Sequence, residues 1–229
     1  MCGNGKKIIF LHGYMSDGRS FYYQTRFFVN AGFSVVVPDL PGFGRSATIE
    51  EAWSVGDYAD WLKKFIGITC GEKPHIIAHS FGARVAFKLL SEGDFADRLV
   101  VTGGAGLVKA RSAKYRRRVA AYRAVKKFFS SFAERHFGSE EYRALSPVMR
   151  QSYKKIVNED LRDCARAVKS RTLLIYGRDD GVTPASQEGE TFRKCISGSR
   201  LEIIDGGHFC FCENADAFNN MVLKFLTEE

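Results

Sequence analysis

Six short apolar runs, each followed by a stretch with helical spacing, constrain this chain more than any other feature. The runs are Lys7–Leu11, Ser34–Val37, His75–Ala78, Leu99–Thr102, Thr172–Tyr176 and Leu201–Ile204. Helical patterns lie near Phe21–Ala31, Val55–Ile66, Phe81–Leu90, Ala185–Cys195 and Ala215–Leu226. A strand joined to the next strand through a helix runs parallel to it, because the crossover brings the chain back to the end where it began. Unbroken apolar strands mean burial on both faces. The pattern therefore predicts an α/β fold: a mostly parallel sheet of about six strands, flanked by helices. At 229 residues the chain suits one such core.

One interval breaks the alternation. Between Thr102 and Thr172 no strand pattern occurs, and the gap is too long for a bare loop in a compact domain. Within it Tyr115, Val119, Tyr122, Val125, Phe129 and Phe132 recur at steps of three and four, as on an amphipathic helix. Arg116, Arg117, Arg123, Lys126 and Lys127 fall on the opposite side. Residues 105–170 hold 17 of the 34 Lys and Arg but only 6 of the 26 Asp and Glu. The sequence thus predicts a core of residues 1–104 and 171–229 with a helical cap, 105–170, inserted between two strands. Its charge either attracts an anionic substrate or covers a solvated helix face. The arginines come with no nucleic-acid-binding motif, so a small molecule is the expected partner and nucleic acid is not.

No apolar run reaches the ~18 residues of a membrane span. The opening MCGNGKKIIF lacks the apolar stretch and cleavage site of a signal peptide. Cysteines at positions 2, 70, 164, 195, 210 and 212 form no CxxC pair. A core of this size needs no disulfides, so reduced thiols and a cytoplasmic location are expected. Cys210 and Cys212 are too few for a metal site and read as packing residues. No metal or cofactor is expected, and the sequence specifies no oligomeric state.

Open parallel sheets bind ligands beyond the carboxyl ends of their strands. His12-Gly13-Tyr14-Met15 follows the first run, and Pro38 to Ser46 follows the second. Ser80 follows the third, Gly177 to Pro184 the fifth, and Asp205-Gly206-Gly207-His208 the sixth. A serine, an acid and a histidine therefore stand at strand ends in that chain order. In PHIIAHSFGARVAF the serine sits between an apolar run and a helical pattern, with Ala78 two residues before it and Gly82 two after. Such a strand-turn-helix junction strains the serine backbone, needs small neighbours and points the hydroxyl outward. By itself Ser80 also reads as a helix N-cap.

The motifs LHGY, PDLPGFGRS, AHSFG, YGRDDGVTP and GGH, in this order, resemble the α/β-hydrolase superfamily over almost the whole chain. Ala78 replaces the usual Gly of the elbow, and two peripheral strands of the usual eight are missing. The resemblance implies Ser80 as nucleophile, His208 as base and Asp180 as the orienting acid, with neighbouring Asp179 as the alternative. It implies backbone N–H groups of Phe81 and Tyr14 as the oxyanion hole. Met15, Arg84 and Tyr122 are candidate substrate contacts. Arg84, four residues past Ser80, either reaches the pocket or pairs with an acid. His79 points away from Ser80 on an alternating strand and reads as structural. His12 is expected to tie loops beneath the oxyanion hole.

The function so implied is a serine hydrolase acting on a carboxylic ester or thioester through an acyl-enzyme. S-x-G-A-R with a basic cap also resembles menaquinone-pathway lyases, which grip polyanionic substrates. Carbon–carbon bond hydrolases share the triad as well. A receptor or binding module on the same fold is the third alternative.

Overall fold

In β1 (Lys7–Leu11) successive side chains leave opposite faces of the sheet. Ile9 and Leu11 join one buried cluster, Ile8 and Phe10 the other. The same alternation divides Ile76 and Ala78 from Ile77 in β3 (His75–His79). It also divides Leu99 and Val101 from Val100 in β4 (Arg98–Thr102). A strand buried on both sides has no polar alternate positions, which is why these segments read as unbroken apolar runs. The computed structural model describes residues 5–108, 117, 142 and 144–228.

With β2 (Ser34–Val36), β5 (Arg171–Gly177) and β6 (Arg200–Ile204), these strands form one six-stranded sheet in the order β2-β1-β3-β4-β5-β6. Every neighbouring pair is parallel, with Ile9 opposite Ile76 and Ala78 opposite Val101. The chain steps to one side of β1 for β2 and to the other for β3. Ligands of open sheets bind at such a change of direction.

Helices cover both faces. One cluster takes α2 (Val55–Thr69) and α3 (Phe81–Glu92), and the opposite one takes α1 (Tyr22–Asn30). The start of α2 is set by a capping box: Ser54 Oγ accepts from the Asp57 N–H while the Asp57 carboxylate accepts from the Ser54 N–H. Elements differ from their predicted spans mostly at the ends. A 3₁₀ turn, Gly18–Phe21, leads into α1. The helix expected over Ala185–Cys195 begins as a π-helical turn at Ala185–Gly189 and becomes α-helical only as α6 (Glu190–Cys195).

In the interval between β4 and β5 lie α4 (Pro147–Val157) and α5 (Arg162–Ala167). Leu161, Ala165 and Val168 are buried in the cluster that contains α3, so α5 packs with the core layer. Arg117 is helical and exposed. The expected aromatic stripe, Tyr122 included, lies outside the described residues. After β6 come α7 (Cys210–Glu213) and α8 (Ala215–Thr227), which close the second cluster. No described helix is long and apolar enough to cross a membrane.

Candidate active site

The chain passes from β3 to α3 through a single residue, Ser80, with φ 50° and ψ −105°. Few non-glycine residues adopt a positive φ, and the surroundings must hold it there. The Ser80 N–H donates to Thr102 O at 3.2 Å, and its carbonyl accepts from the N–H groups of Ala83 and Ala105. Its side chain makes no capping bond to α3, so the N-cap use does not occur. Gly82 is required by close approach: a Cβ there would stand 2.3 Å from Leu11 O. Ala78, fully buried, fills the other small position.

The loops after β5 and β6 meet beside this turn. Gly177 permits it, since a Cβ there would lie 2.1 Å from Gly207 O. His208 Nδ1 lies 2.9 Å from Asp180 Oδ2. Asp180 Oδ1 accepts from the N–H groups of Val182 and Thr183, each at 2.8 Å. Thr183 Oγ1 stands 2.8 Å from Asp180 Oδ2, 3.0 Å from Gly103 O and 3.2 Å from His208 Nδ1. Burial alone would raise the Asp180 pKa, but the bonds from His208 and Thr183 outweigh it and hold the carboxyl at about 2. The carboxylate is ionised and fully enclosed, while the imidazole keeps 13% of its side-chain surface open. Asp179 is exposed, and its N–H donates to Gly206 O. Thr183 escaped the sequence reading, although it stands inside the quoted YGRDDGVTP.

The loop after β1 lies directly over Ser80. A Cβ on Gly13 would be 3.5 Å from Ser80 Cβ and 2.9 Å from His79 Nδ1. His12 holds this loop: its Nδ1–H donates to Gly13 O at 2.8 Å, and its Nε2 accepts from the Leu40 N–H at 2.9 Å. Burial lowers its pKa, in keeping with that neutral tautomer. As the first residue of α3, Phe81 has an N–H with no acceptor in its own helix. Met15, with φ 57°, is 46% exposed and stands two residues beyond Gly13.

The Tyr14 ring packs against Phe43, Phe81 and Tyr153, with centroids 4.9–5.3 Å apart. Its hydroxyl donates to Met149 O on α4 at 2.8 Å. Burial raises the Tyr14 pKa well above its ordinary value. Arg84 is bonded to main-chain carbonyls. It is 6% exposed, and its Nη1 donates to Ile156 O at 2.9 Å and Glu159 O at 3.0 Å. Four residues past Ser80 on α3, it lies at the C-terminal end of α4, whose last carbonyls lack helical partners and draw a cation. So α4 is tied to the Gly13–Tyr14 loop near its start and to α3 at its end. Neither tie was legible, because the partners lie 135 and 72 residues away along the chain. Among the described residues no cluster of three or more His, Cys, Asp or Glu could hold a metal ion.

Comparison with known proteins accords with this architecture. The model of the "Alpha/beta hydrolase family" matches residues 8–221. A 2-hydroxy-6-oxononadienedioate/2-hydroxy-6-oxononatrienedioate hydrolase from Pseudomonas putida is 29% identical, over 99% of this chain and 90% of its own length. Among solved structures, a bromoperoxidase from Bacillus anthracis is similar with a TM-score of 0.81 at 21% identity, covering 99% of this chain and 94% of that one. An esterase from Exiguobacterium antarcticum has a TM-score of 0.79 at 21% identity, covering 99% and 93%. At such identities the structural likeness speaks to the fold, while the family match extends over nearly the whole sequence. The chain belongs to the alpha/beta hydrolase family.

Proposed function

We propose that this chain is a serine hydrolase that cleaves a carboxylic ester or thioester of a small molecule through an acyl-enzyme. The observation that carries the reading is the His208–Asp180 contact of 2.9 Å, next to a serine held at positive φ. With its Nδ1–H given to Asp180, His208 presents the Nε2 lone pair. Nε2 takes the Ser80 proton as Oγ attacks the carbonyl carbon, and the carbonyl π electrons move onto oxygen. The N–H groups of Phe81 and Tyr14 receive that oxyanion; losing one such donor typically costs ~10²–10³ in rate. Collapse expels the alcohol or thiol, which takes the proton from Nε2. Water then attacks the acyl-enzyme with His208 again as base, releasing the acid and restoring Ser80.

The aromatic group of Tyr14, Phe43, Phe81 and Tyr153 suits an apolar or aromatic acyl portion. In this reading the interval inserted between β4 and β5 supplies the cap, and Met15, exposed two residues beyond Gly13, contacts the substrate. A second reading, hydrolysis of a carbon–carbon bond, is favoured by the likeness to the Pseudomonas putida hydrolase. The test is a panel of p-nitrophenyl esters of graded acyl length, run beside an acyl-CoA and 2-hydroxy-6-oxononadienedioate. Highest kcat/KM on an ester or thioester supports the first reading. Highest kcat/KM on the dienedioate replaces it with the second, and no turnover of any class counts against both.

A further inference from the structure

His79 is the last residue of β3, and its ring joins three parts of the site. It stands on the Ile77 face of the sheet, away from Ser80, as an alternating strand requires. Its Nε2 is 3.0 Å from His208 O, a carbonyl that can only accept, so Nε2 carries the hydrogen. Its ring packs on that of His208 with centroids 4.7 Å apart, and on Phe211 at 4.8 Å. Its Nδ1 faces the bare α-carbon of Gly13, and among the described residues no hydrogen-bond partner reaches it. The side chain is 1% exposed.

A residue kept for packing alone would be better served by phenylalanine, which buries no unpaired nitrogen. The structure instead uses an imidazole to donate to the main chain of the very residue whose ring contacts Asp180. We infer that His79 is a positioning residue: its Nε2–H fixes the backbone of His208 while its ring spaces that loop from Gly13 and Tyr14. His208 is then held at two points, its Nδ1 by Asp180 and its carbonyl by His79. Burial, with the nearby His208 adding to it, lowers the His79 pKa to about 3. The donor is therefore neutral over the working range and places no second positive charge beside the base.

The inference rests on the reading of His208 as general base, and the experiment separates the two. Wild type, His79→Phe and His79→Gln are reacted with a fluorophosphonate probe, and the rate of Ser80 modification is measured along with thermal melts. His79→Phe keeps the ring and loses the donor; His79→Gln restores an N–H at similar reach. The expected result is a Phe variant that keeps the fold, with a cooperative melt, yet reacts more slowly, approaching the ~10²-fold that a misplaced group costs. The Gln variant recovers most of the rate. On an ester substrate, the Phe variant lowers kcat and leaves KM unchanged. A Phe variant as fast as wild type, or a Gln variant as slow as Phe, overturns the inference while leaving the triad intact. Should His79→Phe fail to fold, His79→Met takes its place as the donor-free variant. Failure of wild type itself to react overturns the reading beneath it.

Discussion

Asp179 and Asp180 are adjacent and chemically identical, yet the fold treats them in opposite ways. Asp180 is turned inward and holds four donor atoms around its two oxygens, whereas Asp179 is exposed. Asp180→Asn should therefore lower kcat by ~10⁴, because the amide favours the wrong histidine tautomer. Asp179→Asn should stay close to wild type. Steady-state kinetics of the two variants decide this, and a reversed order would reassign the acid. Proton linkage also belongs at this scale. Burial lowers the pKa of His75 to about 4 and that of His79 to about 3. The unfolded chain protonates both near 6.5, so between those values it binds more protons than the native state. Stability then rises with pH through this window and falls on acidification, by up to about 1.4 kcal/mol per pH unit for each histidine. His75→Phe should flatten the fall in Tm between about pH 6.5 and 4. An unchanged acid limb would show that His75 is not what the proton seeks. The position of Ser80 was legible because its neighbours must be small. The preference for Asp180 over Asp179 came from resemblance; the inward turn that brings Asp180 to His208 is held by the Val182 and Thr183 N–H groups, whose direction no spacing reveals.

Between elements, close approach and long-range ties set the geometry. Gly82→Ala would drive a methyl to within 2.3 Å of Leu11 O. α3 would have to lift from β1, taking Ser80 and the Phe81 N–H with it. Overpacking of this kind typically costs about 1–3 kcal/mol. Activity should fall further than stability, and paired measurement of Tm and kcat checks the ratio; a fully active, equally stable variant would contradict the close packing. Arg84→Met keeps the length of the side chain but leaves the buried end of α4 without its donor. The expected loss is at least ~1–3 kcal/mol, read as a lower urea midpoint. The strands were legible from the sequence within a residue or two: doubly buried ones such as β1, β3 and β4 leave an apolar run, while the edge strand β6, exposed at Arg200, Glu202 and Ile203, was read from Leu201, Ile203 and Ile204 alone. The π-helical start at Ala185–Gly189 was not, because a single wide turn leaves no periodicity. The ties from Arg84 and the Tyr14 hydroxyl were not either, since both end on main-chain carbonyls that carry no side-chain signature.

The whole molecule carries a net charge of +8, with half of its Lys and Arg in residues 105–170. If that charge serves the substrate, kcat/KM for an anionic ester should fall steeply with salt, over a screening length of ~8 Å at 0.15 M, while a neutral ester barely responds. Arg116, Arg117 and Arg118 replaced together by Gln should reproduce the loss selectively. Equal responses from both substrates would make the basic face a solvated surface and favour the apolar acyl pocket. The central claim, that Ser80 is the nucleophile of a serine hydrolase, has a more direct test. The chain is treated with a fluorophosphonate, digested, and the modified peptide located by mass spectrometry. The account predicts a single adduct on Ser80, absent from Ser80→Ala and slowed in Asp180→Asn. An unmodified wild type, an adduct at another residue, or a Ser80→Ala variant that still hydrolyses esters at the wild-type rate would contradict it.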